Sequence, residues 1–431
     1  MSREDCFTIM KDKVKIGYIG LGRRGFGMFK NVLLAMNDIE VVAVCDLLES
    51  RVEQAQKALE EKGRSRAIGT TNYKEVLSNP DIEAVFIMTG WDGRPALAKE
   101  SLLAGKYTAI EVGASKNLEE VWDLVDTYEQ TKVPLMMLEN ACYGRLEMMM
   151  LNMVKTGVLG EIVHCTGAYG HYLCGPELFK DIDTEEVPHY RLGHYINENR
   201  DSYPTHELGP ICKMLNINRG NRLVRLNTVA SKAAGLKHYA KTTFGEDSDW
   251  AKIDYKQGDI VNTLITCENG ESILITLDTT LLRTYYSRQM SVRGTLGMVS
   301  EEGSAAILEG MEHPVKNNLD DFYAKYEHPL QKYVQTSYAK DQQGGGAHAG
   351  GVDYSIFRAF IESVKLGIEP PIDIYDAATL LSIGVLTEES IKNNGAPVEI
   401  PDFTRGKYKN REASPVCKYS LNEIYGDEVF K

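Results

Sequence analysis

Apolar residues in the first third of the chain occur in short continuous runs, which alternate with stretches that are apolar only at helical spacing. The runs begin at residue 14 and recur at 82–88, 107–111 and 134–138, whereas the amphipathic stretches cover 50–62, 95–104 and 118–130. Strands that are apolar on both faces and alternate with helices are typical of a doubly wound parallel sheet. We therefore predict an α/β first domain covering 1–140.

The pattern changes after Gly160, where strand-like runs follow one another with short turns between them. These runs cover 161–169, 223–233, 259–267, 272–279 and 289–294. Consecutive strands joined by hairpin turns predict an α+β domain with an open, mostly antiparallel sheet, and we expect it to cover 141–431. Amphipathic stretches at 353–366 and 376–393 predict helices that pack back on the first domain. Two interpretations stay open for the glycine-rich segment 342–346, an exposed connector and a mobile loop at an active site.

A glycine-rich turn separates the first strand from the first helix. Its glycines are Gly20, Gly22 and Gly25, which give the spacing GxGxxG. This spacing allows a tight turn and a close approach of the backbone to a pyrophosphate at a helix N-terminus. Asp46 ends the second strand, where its carboxylate can accept hydrogen bonds from a ribose diol and repel a 2′-phosphate. The turn therefore predicts a dinucleotide site that favours NAD, although Arg23 and Arg24 could offset the acidic charge.

The composition of the chain limits the classes of binding partner and the cellular compartment that we expect for the protein. The chain has 431 residues and a net charge of −13, which disfavours nucleic acid and anionic membranes as partners. We find no signal-peptide pattern and no apolar stretch of membrane-spanning length. The eight cysteines lack a CxxC spacing and fit free thiols in a reducing cytoplasm. We therefore expect a cytoplasmic protein.

Candidate ligand-contacting residues follow several strands of the predicted parallel sheet. They are Thr89 and the turn Trp91, Asp92, Gly93 and Arg94, then Glu111 beside Val112, and Glu139 beside Asn140. In such sheets the ligand lies in the crevice outside the carboxyl ends of the strands. Trp91 is either a core residue or a neighbour of the cofactor. Glu139 is harder to explain by packing, because an unpaired buried carboxylate is costly.

The second domain offers a phenol and an imidazole close together. Tyr203, Pro204, Thr205 and His206 immediately precede a predicted helix, and the first and last of them can serve as acid and base in one cleft. Other histidines occur nearby at 164, 171, 189 and 194, yet none has metal-ligand spacing such as HExxH. We predict no metal site.

With these features the whole chain resembles the glucose-fructose oxidoreductase and inositol dehydrogenase superfamily, a Rossmann domain followed by an open-sheet substrate domain. LENACYG at 138–144, YPTHELGP from Tyr203, GGVD at 350–353 and IPDF at 400–403 are similar to glycoside hydrolase family 109. Members of that family are NAD-dependent α-N-acetylgalactosaminidases. Sugar dehydrogenases of the superfamily usually carry Glu-Lys-Pro where this chain has Glu111-Val112-Gly113, so the dehydrogenase lysine is missing.

The resemblance implies which residues contact each ligand. Cofactor contacts would fall on Arg23, Arg24, Asp46, the turn from Trp91 to Arg94, Glu111, Val112, Asn140 and Tyr203. Sugar contacts would fall on Tyr169, Arg191, Tyr203, Pro204, Thr205, His206 and Tyr285. Tyr286 competes with Tyr285, position 94 is commonly His in the family, and His348 lies one residue further from its glycine pair than in the family. Glu139 is implied either as an acid or as an anchor for the nicotinamide ribose.

The resemblance also implies a mechanism in which NAD is recycled. A hydride leaves carbon 3 of the sugar, the hydrogen on carbon 2 becomes acidic, the aglycone is eliminated, water adds, and the hydride returns. His206 and Tyr203 would form the acid–base pair, with Tyr169 beside them, while Arg191 and Tyr285 orient the sugar. Two alternatives stay open, a sugar or cyclitol dehydrogenase and a non-catalytic NAD sensor. We expect a homo-oligomer, since the open sheet often forms a dimer face in this superfamily.

Overall fold

A computed structural model describes residues 12–180, 189–312, 315–331, 333, 351–411, 418–422 and 424. Its first sheet has six parallel strands in the order β3-β2-β1-β4-β5-β6. They are β1 (Val14–Ile19), β2 (Ile39–Cys45), β3 (Ile68–Thr70), β4 (Ala84–Ile87), β5 (Tyr107–Ile110) and β6 (Leu135–Met137). The connecting helices are α1 (Arg23–Asn31), α2 (Glu49–Glu61), α3 (Tyr73–Ser78), α4 (Arg94–Leu103) and α5 (Leu118–Thr131). The predicted doubly wound sheet is confirmed.

The strand β3 is absent from the sequence prediction for a physical reason. It has three residues and lies at the edge of the sheet, and Ile68 is exposed. A short, exposed edge strand needs no continuous apolar run, so hydrophobic periodicity does not predict it. The other five strands are buried on most of their positions and match the predicted runs to within a few residues.

The second sheet has eight strands in the order β13-β12-β11-β7-β10-β9-β8-β14. They are β7 (Ile162–Gly170), β8 (Leu223–Ala230), β9 (Ile260–Cys267), β10 (Ser272–Asp278), β11 (Ser291–Gly294), β12 (Gly297–Ser300), β13 (Ala305–Leu308) and β14 (Val398–Glu399). Every neighbouring pair is antiparallel except β7 and β10. The mostly antiparallel sheet is thus confirmed, and alternate residues of β9 and β10 are buried on one face.

Helices cover one face of this sheet and return to the first one. They are α6 (Arg145–Lys155), α7 (Pro176–Phe179), α8 (Tyr190–Asn197), α9 (Thr205–Met214), α10 (Gly235–Phe244), α11 (Asp249–Lys252), α12 (Leu319–Tyr326), α13 (Val352–Leu366) and α14 (Ile374–Lys392). The rings of Phe357 and Phe360 in α13 lie 4.8 and 4.9 Å from that of Phe86 in β4. The helix α13 therefore completes the core beneath the first sheet.

Three further sequence predictions concern the loop at 342–346, membrane-spanning helices and the cysteines. The segment 342–346 and His348 lie outside the described residues. None of the helices in the described part of the chain combines the length and the apolar character needed to cross a bilayer. Six described cysteines are free and buried, at positions 45, 142, 165, 174, 212 and 267.

Candidate active site

The glycine-rich turn has the geometry that a dinucleotide requires. Gly20 has a φ of +98°, and a Cβ there would lie 2.7 Å from backbone atoms of Met88 and Thr89. A Cβ on Gly25 would collide with the carbonyl oxygen of Gly20. The helix α1 then begins after Gly22 without a side-chain cap and without an acidic residue in its first turn. Its first amides remain free to bind an anion such as a pyrophosphate.

Asp46 holds the glycine turn against the end of β2. Its carboxylate accepts hydrogen bonds from the amides of Leu21 at 2.6 Å and Leu48 at 3.1 Å, and Arg51 lies 3.6 Å away. Each carboxylate oxygen has more than one acceptor site, so Asp46 can also accept from a ribose diol. The predicted ribose contact thus fits a residue that already shapes the turn.

The two arginines of the turn have different surroundings. Arg24 donates to Glu111 at 2.9 Å and to both carboxylate oxygens of Asp353, at 2.6 and 3.2 Å. Arg23 is exposed and lies 3.9 Å from Glu177. Because carboxylates engage the Arg24 guanidinium, it is not a free cation for the 2′-phosphate of NADP. The arrangement fits NAD.

The turn from Trp91 to Arg94 follows β4 and contacts the ends of the neighbouring strands. Arg94 is buried and donates to the carbonyl oxygens of Glu111 at 2.6 Å, Val112 at 2.7 Å and Thr89. It therefore fixes the ends of β4 and β5, and its Nη groups are occupied by the backbone. The neighbouring Gly93 has a φ of +74° at the start of α4.

Trp91 joins the first domain to the aromatic residues of the second. Its ring is buried and lies 5.3 Å from Tyr190, 5.0 Å from His194 and 5.7 Å from Tyr203. The carboxylate of Asp92, the next residue along the chain, is exposed and lies 3.7 Å from His194 Nε2. Trp91 thus lies between the first sheet and the predicted acid–base residues.

The three predicted catalytic residues meet in one cluster. Tyr169, at the end of β7, stacks on Tyr203 with ring centroids 4.3 Å apart and an interplanar angle of 12°. The His206 ring lies 5.0 Å from Tyr203 and 5.3 Å from Tyr169. Tyr203 precedes α9 and His206 occupies its first turn, and α9 packs against β7. This packing brings together residues that are distant in sequence.

Glu139 is the partner of His206. The imidazole Nδ1 donates to Oε1 of the fully buried Glu139 at 2.6 Å, and the amide of Ala141 donates to the same oxygen at 2.9 Å. A hydrogen on Nδ1 leaves the lone pair of the neutral ring on Nε2, which is then the basic atom. The structure thus explains the buried carboxylate as one half of a carboxylate–imidazole pair.

The tyrosines of the cluster are neutral phenols. Burial raises the pKa of Tyr169 well above its usual range, and burial likewise raises the pKa of Tyr203 although Arg191 opposes the shift. A phenol with a raised pKa stays protonated at neutral pH and can donate a hydrogen bond, but it gives up its proton less readily. Within the cluster, His206 is therefore the candidate base and Tyr203 a hydrogen-bond donor.

His171 belongs to the cluster, although the sequence analysis did not assign it a role. Its Nδ1 lies 2.9 Å from the hydroxyl of Tyr169, and burial, followed by Arg191 and His206, lowers its pKa. His171 directly follows the end of β7 and lies outside the predicted strand 161–169, so strand periodicity does not place it. Its nearness to Tyr169 in sequence was the available signal.

The structure distinguishes between the two candidate tyrosines after β10. The Tyr286 ring lies 5.2 Å from His171 and 6.3 Å from Tyr169, and its hydroxyl accepts from Arg288 at 3.2 Å. The side chain of Tyr285 is 65% exposed and has no ring contact with the cluster among the described residues. Tyr286 is itself 46% exposed, so these contacts favour Tyr286 for the aromatic role, and the assignment to Tyr285 or Tyr286 stays a prediction.

Arg191 lies beside the aromatic rings of the cluster. Its Cζ lies 5.5 Å from the Tyr203 ring, 5.6 Å from Trp91 and 5.8 Å from Tyr190. Its buried Nε has no hydrogen-bond partner among the described residues. A buried donor without a partner is costly, so this position favours a polar ligand group such as a hydroxyl or an amide carbonyl.

The remaining predicted residues lie around these two centres. The Asn140 amide donates to Asp353 at 2.7 Å, the amide of Val112 donates to the Glu111 side chain at 2.9 Å, and Thr205 Oγ1 is buried without a partner among the described residues. Pro204 caps α9. The described residues include no group of three or more acidic, histidine or cysteine side chains that could hold a metal ion.

Two family models match the chain. The model for the glycosyl hydrolase 109 C-terminal domain covers residues 143–410, and the model for the oxidoreductase family with an NAD-binding Rossmann fold covers residues 14–139. The chain is 37% identical over 406 residues to glycosyl hydrolase family 109 protein 2 of Shewanella sp. strain ANA-3, covering 92% of this chain and 87% of the relative. It is 34% identical over 419 residues to the alpha-N-acetylgalactosaminidase of Tannerella forsythia, covering 93% and 88%.

Solved structures share the fold at low sequence identity. A levoglucosan dehydrogenase in complex with NADH and levoglucosan matches with a TM-score of 0.65 and 15% identity, covering 90% of this chain and all of that chain. A myo-inositol dehydrogenase from Lactobacillus casei, in complex with NAD(H) and myo-inositol, matches with a TM-score of 0.60 and 16% identity, covering 91% and 99%. These structures show the shared fold, and the match to the Rossmann model shows an NAD-binding first domain.

Proposed function

The chain belongs to glycosyl hydrolase family 109, and on that premise we propose that it cleaves terminal N-acetylgalactosamine, or a related N-acetylhexosamine, while it retains and recycles NAD. The observation that carries the proposal is the buried Glu139–His206 pair beside Tyr203, next to the turns of an NAD-binding sheet. The pair supplies a base, and the usual dehydrogenase lysine is replaced by Val112.

NAD fits the residues at the carboxyl edge of the first sheet. The uncapped first turn of α1 would bind the pyrophosphate, Asp46 the adenosine ribose, and Glu111 with Asn140 the nicotinamide half. When bound, NAD supplies an acceptor for the hydride of carbon 3 and later returns it.

His206 performs both proton removals in this proposal, first from the carbon 3 hydroxyl as the hydride leaves and then, after that proton has passed to solvent, from carbon 2. Its Nε2 is the free basic nitrogen, because Glu139 fixes the hydrogen on Nδ1. Once carbon 3 is a ketone, the hydrogen on carbon 2 is acidic enough for an imidazole to remove it. Tyr203, with its raised pKa, remains protonated and can donate to the oxygen that leaves or to the ketone.

Arg191 and Tyr286 position the sugar. The Arg191 Nε, which has no hydrogen-bond partner among the described residues, can donate to hydroxyl or acetamido oxygens, and the Tyr286 ring forms the opposite wall beside His171. Tyr169 stacks behind Tyr203 and holds that ring in place. Aromatic faces and a few polar groups are the usual means of orienting a sugar ring.

Purified protein and an aryl α-N-acetylgalactosaminide, mixed without added NAD, test the proposal. We expect many turnovers of aryl release with no net formation of NADH. Formation of one NADH for each sugar consumed would instead identify a dehydrogenase that releases a keto product. Bound NAD without turnover of either kind would identify a sensor.

We also propose a homo-oligomer that forms through the outer face of the second sheet. Apolar side chains on two adjacent strands of this face are exposed: Val229 of β8 by 65% and Leu264 of β9 by 46%. Exposed apolar surface on an open sheet is typical of an interface. Light scattering of the wild type should give a multiple of the chain mass, and Leu264→Glu should lower it. A wild-type monomer would contradict this proposal.

We place the protein in the cytoplasm as a further part of the proposal. The six described cysteines are free thiols, which persist in a reducing compartment. The net charge of −13 favours a neutral glycan over nucleic acid as partner. Fractionation of producing cells should recover the protein with the cytoplasmic contents, and recovery elsewhere would contradict this placement.

A further inference from the structure

One carboxylate near the C-terminus contacts the glycine turn directly. Asp353 is buried at the start of α13, and its Oδ1 accepts from Arg24 at 2.6 Å and from Asn140 at 2.7 Å. Its Oδ2 accepts a second bond from Arg24 at 3.2 Å. Asp353 and Arg24 are 329 residues apart in sequence. Bidentate bonds between a guanidinium and a carboxylate are strong and define geometry.

These contacts join three turns of the NAD-binding sheet. Arg24 is the second residue of α1, between Gly22 and Gly25 of the glycine turn, and it also donates to Glu111 at the end of β5. Asn140 follows β6. The strand order places β4 between β1 and β5, so the Arg24 side chain links two turns across a third. Asp353 thus fixes the shape of the cleft from outside the first domain.

We infer that Asp353 is a positioning residue that retains NAD, with α13 acting as a latch on the start of α1 through Arg24. The inference rests on the proposed function, in which the cofactor ends each turnover in its starting state. Such an enzyme has no need to exchange NAD. Fixing Arg24, Glu111 and Asn140 before binding reduces the ordering cost of holding the cofactor and slows its release.

A second anchor of the same helix provides a matched control. Asp38 accepts from Arg358 at 2.6 Å and from Lys365 at 3.0 Å, and both donors lie in α13. Asp38 directly precedes β2, so it lies at the amino edge of the parallel strands, opposite the glycine turn. A substitution there loosens α13 without touching the cofactor cleft.

The test compares Asp353→Asn with Asp38→Asn. Each variant is loaded with NAD, and the dissociation rate is measured by dilution into an NAD-capturing enzyme, without any sugar. We expect Asp353→Asn to release NAD at least about tenfold faster, since hydrogen bonds to charged groups are lost. Asp38→Asn should release NAD at the wild-type rate. Equal rates in all three proteins would overturn the latch.

Two further measurements separate positioning from general destabilisation. The unfolding temperature of the NAD-free protein should fall by similar amounts in both variants, so stability alone cannot explain a difference in release. Arg24→Lys keeps the charge but loses the planar fork, and it should also release NAD faster. Wild-type release in Arg24→Lys would count against the latch even if Asp353→Asn failed to fold.

The latch and the proposed function can fail separately. Release of NAD is measured without substrate, so a dehydrogenase with a slow wild-type release would retain the latch and lose the glycosidase assignment. Conversely, added NAD should restore aryl release in Asp353→Asn. The substitution should raise the KM for NAD and leave kcat nearly unchanged. A fall in kcat that saturating NAD does not restore would overturn the role of Asp353 in retention.

Discussion

At the scale of single residues, the chemistry depends on how one buried carboxylate orients one imidazole. Glu139 and His206 are both ordinary residues in isolation, and only their 2.6 Å contact defines which nitrogen is basic. One neighbouring carboxyl group is hard to ionise: burial raises the pKa of Glu207 well above its usual range, and the neighbouring Asp201 raises it further. A negative charge on Glu207 is therefore disfavoured close to the Glu139–His206 pair.

Glu139→Gln tests the tautomer directly. The amide group of Gln can donate to Nδ1, which places the hydrogen on Nε2 and removes the basic lone pair. We expect kcat to fall by about a hundredfold or more, with NAD content unchanged. His206→Ala should behave similarly, and unchanged turnover in His206→Ala would remove the residue from the mechanism.

The two adjacent tyrosines form a built-in comparison. Tyr286→Ala removes a ring that contacts His171, so we expect a higher KM for the sugar, by about tenfold for a loss of 1.4 kcal/mol. Tyr285→Ala changes an exposed ring and should leave KM near the wild-type value. Steady-state kinetics of both variants would contradict our choice if only Tyr285→Ala raised KM.

At the scale of secondary-structure elements, the glycine turn could be predicted from the sequence, whereas the contacts that hold it in place could not. The spacing of Gly20, Gly22 and Gly25 indicates the strand, the turn and the helix from local sequence alone. The bond from Arg24 to Asp353 joins residues that no local pattern relates. Likewise the strand position of Tyr169 follows from the predicted run 161–169, whereas its approach to α9 depends on packing.

Gly20→Ala tests the turn as an element. Its φ of +98° is strained for alanine, and the new Cβ would lie 2.7 Å from the backbone of Met88. We expect a loss of stability of about 1–3 kcal/mol together with loss of NAD binding. Calorimetric titration with NAD provides the measurement, and Gly27→Ala, where a Cβ would have open space, is the matched control. Normal NAD binding by Gly20→Ala would show that the turn tolerates a side chain.

At the scale of the whole molecule, the two sheets and their order along the chain could be predicted from hydrophobic periodicity. The closing role of α13 depends on contacts with β4 and the glycine turn over hundreds of residues, which one sequence does not encode locally. The choice between Tyr285 and Tyr286 also required three dimensions, because the chain direction after β10 decides which ring faces inward. The division at residue 140 stays a prediction.

Stability should depend on pH through a carboxyl group in α13. Burial raises the pKa of Glu362 to about 7, although Arg358, Lys418 and Lys365 oppose the shift. The folded state therefore binds a proton more tightly than the unfolded state, so this stabilisation is complete below the usual pKa and is lost as the pH rises to about 7. Glu362→Gln should be more stable than the wild type at pH 8, on the order of 3 kcal/mol, with the gap closing below pH 5. Unfolding curves at both values would contradict this if the gap did not change.

The central claim is that NAD serves a hydrolysis through elimination at carbon 2, and hydrolysis in deuterium oxide tests it most directly. Because His206 removes the carbon 2 hydrogen and exchanges it with solvent, the released N-acetylgalactosamine should carry deuterium at carbon 2, detectable by proton NMR, with no net NADH. Aryl release with the original hydrogen fully retained at carbon 2 would contradict the account.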